Sequence, residues 1–193
     1  MLRRAFLLAL LAVAGCATVA PPLPGGQRDY RDELTLAGRL SVRYVQDGKP
    51  QSVQGKFLWT QRRDATDIEI YSPLGQTVAR IAIEPGRARL AQSNGDVREA
   101  ANADALIERS LGWPLPVSGL RYWLQGFVRD GDRLLPAAPD TQDVFHSDGW
   151  QLRYMSWQPG DGQAVPKRID FERAGSRGEL GIRIVIDRWG GKD

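Results

Sequence analysis

The chain carries one cysteine and one histidine in 193 residues. A lone cysteine, Cys16, excludes an internal disulfide and leaves no thiolate cage for a metal. A lone histidine, His146, gives zinc too few ligands. His146 precedes Ser147 and Asp148, which looks like a hydrolytic triad written in a row. Neighbours on a strand point to opposite faces, so adjacency works against that arrangement. There is no Gly-x-Ser-x-Gly elbow, dinucleotide fingerprint or phosphate loop. Asp130 and Asp132 flank Gly131 and read as a turn rather than an acid pair. No catalytic or metal-ligating residue is therefore expected, and no enzyme activity. A basic tract interleaved with aromatics is also missing, so nucleic acid is not an expected partner. The apolar run at residues 5–14 has ten residues, about half of the roughly 20 that a spanning helix needs. Fixed-period repeats and low-complexity tracts are absent.

What is present begins with Arg3 and Arg4, followed by that short apolar run and small residues, the layout of an export signal. Val13-Ala14-Gly15-Cys16 resembles the lipobox of bacterial lipoproteins. The resemblance implies cleavage before Cys16, diacylglycerol on its thiol and an acyl group on the new α-amine, with no other cofactor. Each buried methylene contributes about 0.8 kcal/mol and roughly two chains give a stable anchor. Three chains therefore keep the mature protein on a membrane. Ala17 and Thr18 stand where an inner-membrane retention signal of this class has Asp, which implies the outer membrane. The expected organisation is a signal peptide at 1–15, a lipidated cysteine and tether at 16–28, and one domain at 29–193. Without residues 1–15 there are 24 Lys+Arg against 23 Asp+Glu, net +1. Three prolines stiffen residues 17–26, which reach roughly 30 Å at about 3 Å per residue.

Beyond the tether, apolar and polar residues alternate with a period of two over 36–45, 51–61, 67–70, 79–83, 87–92, 149–154, 168–171 and 179–187. Leu40 and Val42 share one face, with Arg39, Ser41 and Arg43 on the other. Val53, Gly55, Phe57, Trp59 and Gln61 fall together. Asp47-Gly48, Glu84-Pro85-Gly86, Asn94-Gly95-Asp96 and Pro159-Gly160-Asp161-Gly162 supply turns. Short antiparallel strands joined by tight turns predict a curved sheet or barrel. Asn102 caps a predicted helix running to Leu111. A second runs from Val117 to Gln125, with Leu120, Trp123 and Leu124 on one face, and ends at Gly126. A third, weaker helix is expected at 29–35. Because hairpin-linked strands surround them, the helices are expected to cover one face of the sheet.

These elements carry a family resemblance. Gly38-Arg39-Leu40 opens the first strand. Phe57-Leu58-Trp59-Thr60-Gln61 and Ser72-Pro73-Leu74-Gly75 follow. Gly112-Trp113-Pro114-Leu115-Pro116 lies between the helices, and Trp123-Leu124-Gln125-Gly126 closes them. Gly149-Trp150 with Tyr154, Pro166 with Arg168-Ile169, and Asp187-Arg188-Trp189 complete the order. In this order, behind a lipobox, the chain resembles the LolB family over residues 16–189. The resemblance implies a mainly β fold with α. It is an open, curved antiparallel half-barrel of about eleven strands, with helices covering the concave face around a hydrophobic cavity. It also implies a function. The family accepts triacylated lipoproteins from the periplasmic carrier LolA and incorporates them into the outer membrane without ATP. Implied partners are a LolA-like carrier, acylated lipoprotein cargo and outer-membrane phospholipid. The chain would act as a monomer, lipid-anchored and facing the periplasm. Its tether is brief for the family.

Phe57, Trp59, Trp123, Trp150, Tyr154 and Phe171 all lie on patterned elements. Large rings build a plain packed core or line an acyl-chain pocket, and the residues alone allow either. The resemblance favours the pocket, lined by Phe57, Trp59, Ile68, Ile70, Ile81, Ile83, Leu120, Trp123, Leu124, Leu152, Tyr154 and Phe171. Ser72-Pro73-Leu74-Gly75 fits a β-turn, which puts Leu74 at a tip where polar residues are usual. In the family, the leucine of this motif is the exposed residue needed for membrane insertion of cargo. Two other functions share the same lipobox and strands: a lipid-anchored assembly subunit of the outer membrane, and a carrier of non-protein lipid.

Overall fold

The computed structural model describes residues 23, 25, 27–111, 114–139, 141, 143–147, 149–175 and 178–190. The signal peptide, Cys16 and most of the tether lie outside the described residues, as do Gly112, Trp113 and Asp148.

Among the described residues, twelve strands and two helices follow one another. The first six are β1 (Leu34–Gln46), β2 (Lys49–Gln61), β3 (Thr66–Tyr71), β4 (Thr77–Glu84), β5 (Arg87–Gln92) and β6 (Val97–Ala100). Then come α1 (Ala103–Leu111) and α2 (Val117–Trp123). The rest are β7 (Phe127–Asp130), β8 (Arg133–Pro136), β9 (Val144–Ser147), β10 (Trp150–Pro159), β11 (Ala164–Gly175) and β12 (Gly178–Trp189). Ten strands form one antiparallel sheet in the order β6-β5-β4-β3-β2-β1-β12-β11-β10-β9, and β7 pairs with β8 in a second, two-stranded sheet. The two ends of the large sheet, β6 and β9, do not pair with each other, so the sheet is open.

The period-two pattern sets the register. Leu36 faces Trp59 and Gly38 faces Phe57 across β1 and β2, while Leu40 faces Ile184 on β12. One face thus gathers Leu36, Phe57, Trp59, Ile68, Ile81, Leu90, Leu152, Ile169, Phe171 and Ile184, all buried. The opposite face carries Arg39, Arg80, Arg87, Arg153 and Arg183, paired with Asp187, Glu69, Glu99, Glu172 and Asp170. At β1–β2, Asp47 (φ 51°) and Gly48 (φ 71°) are both left-handed, the geometry that a two-residue hairpin of right-twisted strands requires.

Both helices cover the apolar face. The Ala105 N–H donates to Asn102 Oδ1 at 2.8 Å, capping α1 as expected. The α2 helix follows two prolines. Pro116 offers its carbonyl to Gly119 N–H (3.1 Å) and Leu120 N–H (3.0 Å), and Gly126 (φ 79°) ends the following turn. The α1 helix packs on β5 and β6. On α2, Trp123 meets Phe171 of β11 with ring centroids 5.5 Å apart. Seven strand-to-strand steps separate β5 from β10, about 34 Å if the sheet were flat. Two short helices packed on each other cover both ends only because the sheet curls around them.

Residues 29–33 are not the expected helix. They form an irregular lead into β1. Their backbone groups bond to distant glutamines instead: Asp29 N–H to Gln163 Oε1 (3.1 Å), Arg31 N–H to Gln125 Oε1 (2.9 Å), and Gln125 Nε2 to the Arg31 carbonyl (3.0 Å). The sheet has more and longer strands than periodicity alone shows. The four-residue strands β6, β7, β8 and β9 are too short to establish a period.

Candidate functional site

Of the residues expected to line a pocket, Leu120, Trp123 and Leu124 come from α2 and the residue that ends it, and the others from the sheet face that the helices cover. Phe57, Trp59, Ile68, Ile81, Leu120, Trp123, Leu124, Leu152, Tyr154 and Phe171 are buried in one cluster, with Ile70 and Ile83 half-buried against it. Trp150 joins the same cluster. The contacts are ring-rich, with Tyr154 stacked on Trp157 at 5.2 Å and edge-on to Phe145 at 5.9 Å.

Few polar groups hold the helices to this face. The Tyr154 hydroxyl donates to the Trp123 carbonyl at 3.1 Å, and burial raises the phenol's pKa well above its ordinary value. Arg121 Nε donates to the Tyr30 hydroxyl (3.0 Å), and Asp104 accepts from Ser118. A clamp that the sequence does not reveal sits where the tether meets the domain. Arg28 donates to the carbonyls of Ala164 (3.0 Å), Gly126 (2.8 Å) and Ala137 (2.7 Å) and lies 4.2 Å from the Trp157 ring centroid. Burial lowers its guanidinium pKa, with the nearby Tyr154 opposing. On the outer face, burial would raise the Asp170 carboxyl. Hydrogen bonds from Arg168 and Arg183 outweigh that and hold it below the usual carboxylate range.

The hairpin between β3 and β4 presents the other element. The Gly75 N–H donates to the Ser72 carbonyl (2.9 Å), the Ser72 N–H to the Gln76 carbonyl (2.8 Å), and the Gln76 N–H to Ser72 Oγ (3.2 Å). Gly75 has φ 89°, so the loop is a turn closed by a left-handed glycine. This frame lifts Leu74 away from the protein: it is 90% exposed and does not fold back on Ile70 or Val78. Val53, Val78 and Val97 are also exposed large apolar residues, and all lie toward the same end of the sheet, where β2, β4 and β6 begin. His146 is exposed on β9 while its neighbour Ser147 is buried, and Asp148 lies outside the described residues. Among the described residues, no helix is long and apolar enough to cross a membrane.

Comparison with known proteins matches the sequence to one family. The family model described as outer membrane lipoprotein LolB matches residues 32–189. An outer-membrane lipoprotein LolB of Cupriavidus pinatubonensis is 38% identical over 196 aligned positions, covering 96% of this chain and 94% of its own. One from Bordetella petrii is 38% identical, covering 90% and 84%. A solved LolA superfamily protein from Nitrosomonas europaea shares 10% identity at a TM-score of 0.47, covering 86% of this chain and 89% of its own. By the extent of the family match and the identity to full-length relatives, the chain belongs to the outer-membrane lipoprotein LolB family.

Proposed function

We propose that the protein accepts triacylated lipoproteins from a LolA-like periplasmic carrier and incorporates them into the outer membrane, without ATP and without bond-making chemistry. In this reading it is a monomer facing the periplasm, held in the outer membrane by the acyl chains on Cys16. Family membership supports the pathway. The observation that carries the step is Leu74, which is 90% exposed on a hydrogen-bonded tip beside a helix-covered apolar sheet face.

The covered face receives the cargo's acyl chains when the helices lift, and Phe57, Trp59, Trp123, Tyr154 and Phe171 then line the space. Apolar burial has little directionality, so one acceptor serves cargo proteins with unrelated sequences. Transfer needs only a difference in affinity between the two proteins, tenfold for each 1.4 kcal/mol or so. Leu74 then enters the outer-membrane phospholipid and brings the loaded face to the bilayer.

The test uses the mature chain with Cys16→Ser, mixed with carrier loaded with a radiolabelled triacylated lipoprotein. Movement of label to this protein without ATP supports the acceptor role. A folded protein that takes no label overturns it and favours an anchored assembly subunit. Uptake of phospholipid or glycolipid in place of lipoprotein favours a lipid carrier.

A further inference from the structure

The two helices are fastened to the sheet unequally. Residues 28–31 lead into β1, which lies between β2 and β12 inside the large sheet, and they grip α2 and the turn after it. Arg28 Nη1 donates to the Gly126 carbonyl at 2.8 Å, while its other two bonds end on Ala137 and Ala164. The Tyr30 hydroxyl accepts from Arg121 Nε of α2 and from Gln61 Nε2 of β2, both at 3.0 Å, so one oxygen joins helix to sheet. The Tyr30 ring stacks on Tyr122 of α2 with centroids 5.4 Å apart. Gln125 exchanges two bonds with the Arg31 backbone, at 2.9 and 3.0 Å. The α1 helix has little of this. It packs on β5 and β6, at a free edge of the sheet, with Leu106 and Ile107 buried. Among the described residues, its one side-chain bond to a strand runs from Arg109 Nη2 to the Glu99 carbonyl, exposed and 3.5 Å long, beyond the usual range. Its Ser110 Oγ is buried without a partner among them, so seating α1 forfeits the hydration of that hydroxyl. Its tie to α2, Asp104 with Ser118, is exposed. A unit with few ties at an edge opens before one held at several points.

We propose that Arg28, Tyr30 and Gln125 are positioning residues that keep α2 seated as a fixed wall, while α1 alone swings off β5 and β6 to admit cargo. The inference rests on the acceptor role proposed above and confines its movement to one helix. Trp123 and Leu124 then stay in place through the transfer. The entrance forms over β5 and β6, in the same half of the sheet as the β3–β4 hairpin that carries Leu74.

The experiment is amide hydrogen exchange, read by mass spectrometry on the mature chain carrying Cys16→Ser. Peptides from α1 should exchange roughly tenfold or more faster than those from α2, because α1 opens locally and α2 opens with the sheet. Arg28→Met removes all three of its bonds. Tyr30→Phe keeps the ring and removes only the acceptor shared by Arg121 and Gln61. Each should speed α2 exchange roughly tenfold, the worth of one or two net hydrogen bonds, and leave α1 and β12 unchanged. Arg28→Lys should restore part of the protection. In protein loaded from the carrier with triacylated lipoprotein, α1 should lose protection further while α2 keeps it. Equal exchange of the two helices, release of α2 on loading, or a loss spread evenly over helices and sheet in the variants overturns this inference and leaves the acceptor role standing. A folded protein that receives no cargo overturns both.

Discussion

Replacing Leu74 with glutamate tests the coupling between fold and membrane step. The Leu74 side chain is 90% exposed. The bonds that shape its loop run through Ser72, Gly75 and Gln76 and leave that side chain out. Folding stability should therefore change by no more than about 0.5 kcal/mol. Burying a leucine from water into an apolar phase contributes about 1.5–3 kcal/mol, and nearly all of this side chain's area is available for it. At 1.4 kcal/mol per tenfold, its loss lowers partition into the bilayer roughly 10- to 150-fold. A carboxylate adds a further desolvation cost. The assay pairs thermal unfolding with the carrier-to-protein transfer and with release of label into outer-membrane phospholipid vesicles. Leu74→Glu should melt like the parent and take up label from the carrier, but deliver little to vesicles. Normal delivery by the folded variant would refute the argument. So would failure to receive cargo, since that would place Leu74 in the handover instead.

Three further outcomes follow from the packing. Gly38→Ala should be severely destabilising, beyond the 1–3 kcal/mol or so usual for overpacking. Its Cβ would stand 2.1 Å from the Val185 carbonyl oxygen and 2.9 Å from Phe57 Cε1, and urea unfolding would report it. Tyr154→Phe removes the buried hydrogen bond to the Trp123 carbonyl, costing about 1 kcal/mol at neutral pH. The folded phenol's pKa is raised. Its stabilisation is therefore full below the unfolded value near 10 and is lost as pH rises above it. The variant should show a flatter alkaline limb when urea midpoints are measured from pH 8 to 11.5. Asn102→Ala should cost about 1 kcal/mol by uncapping α1, with a matching loss in the denaturant midpoint.

The sequence by itself determined the local conformations. Alternation on β1 and β2 put Leu40, Val42, Phe57 and Trp59 on the buried side. Asp47-Gly48 closed a hairpin through two left-handed residues. Asn102 capped the first helix, and Ser72-Pro73-Leu74-Gly75 turned the chain as its residue types require. Each of these depends on groups a few positions apart, so the order of residues suffices. The tertiary structure decided the rest. Residues 29–33 gave up a helix because Gln125 and Gln163, about a hundred positions away, take their backbone bonds. Arg28 became a clamp only where three distant carbonyls converge. The short strand β6 gained its place by pairing with β5, and β9 by pairing with β10. Exposure of Leu74 is likewise a property of the assembled surface. Whether a side chain meets water, lipid or a partner depends on what the rest of the chain leaves around it, and no local pattern encodes that.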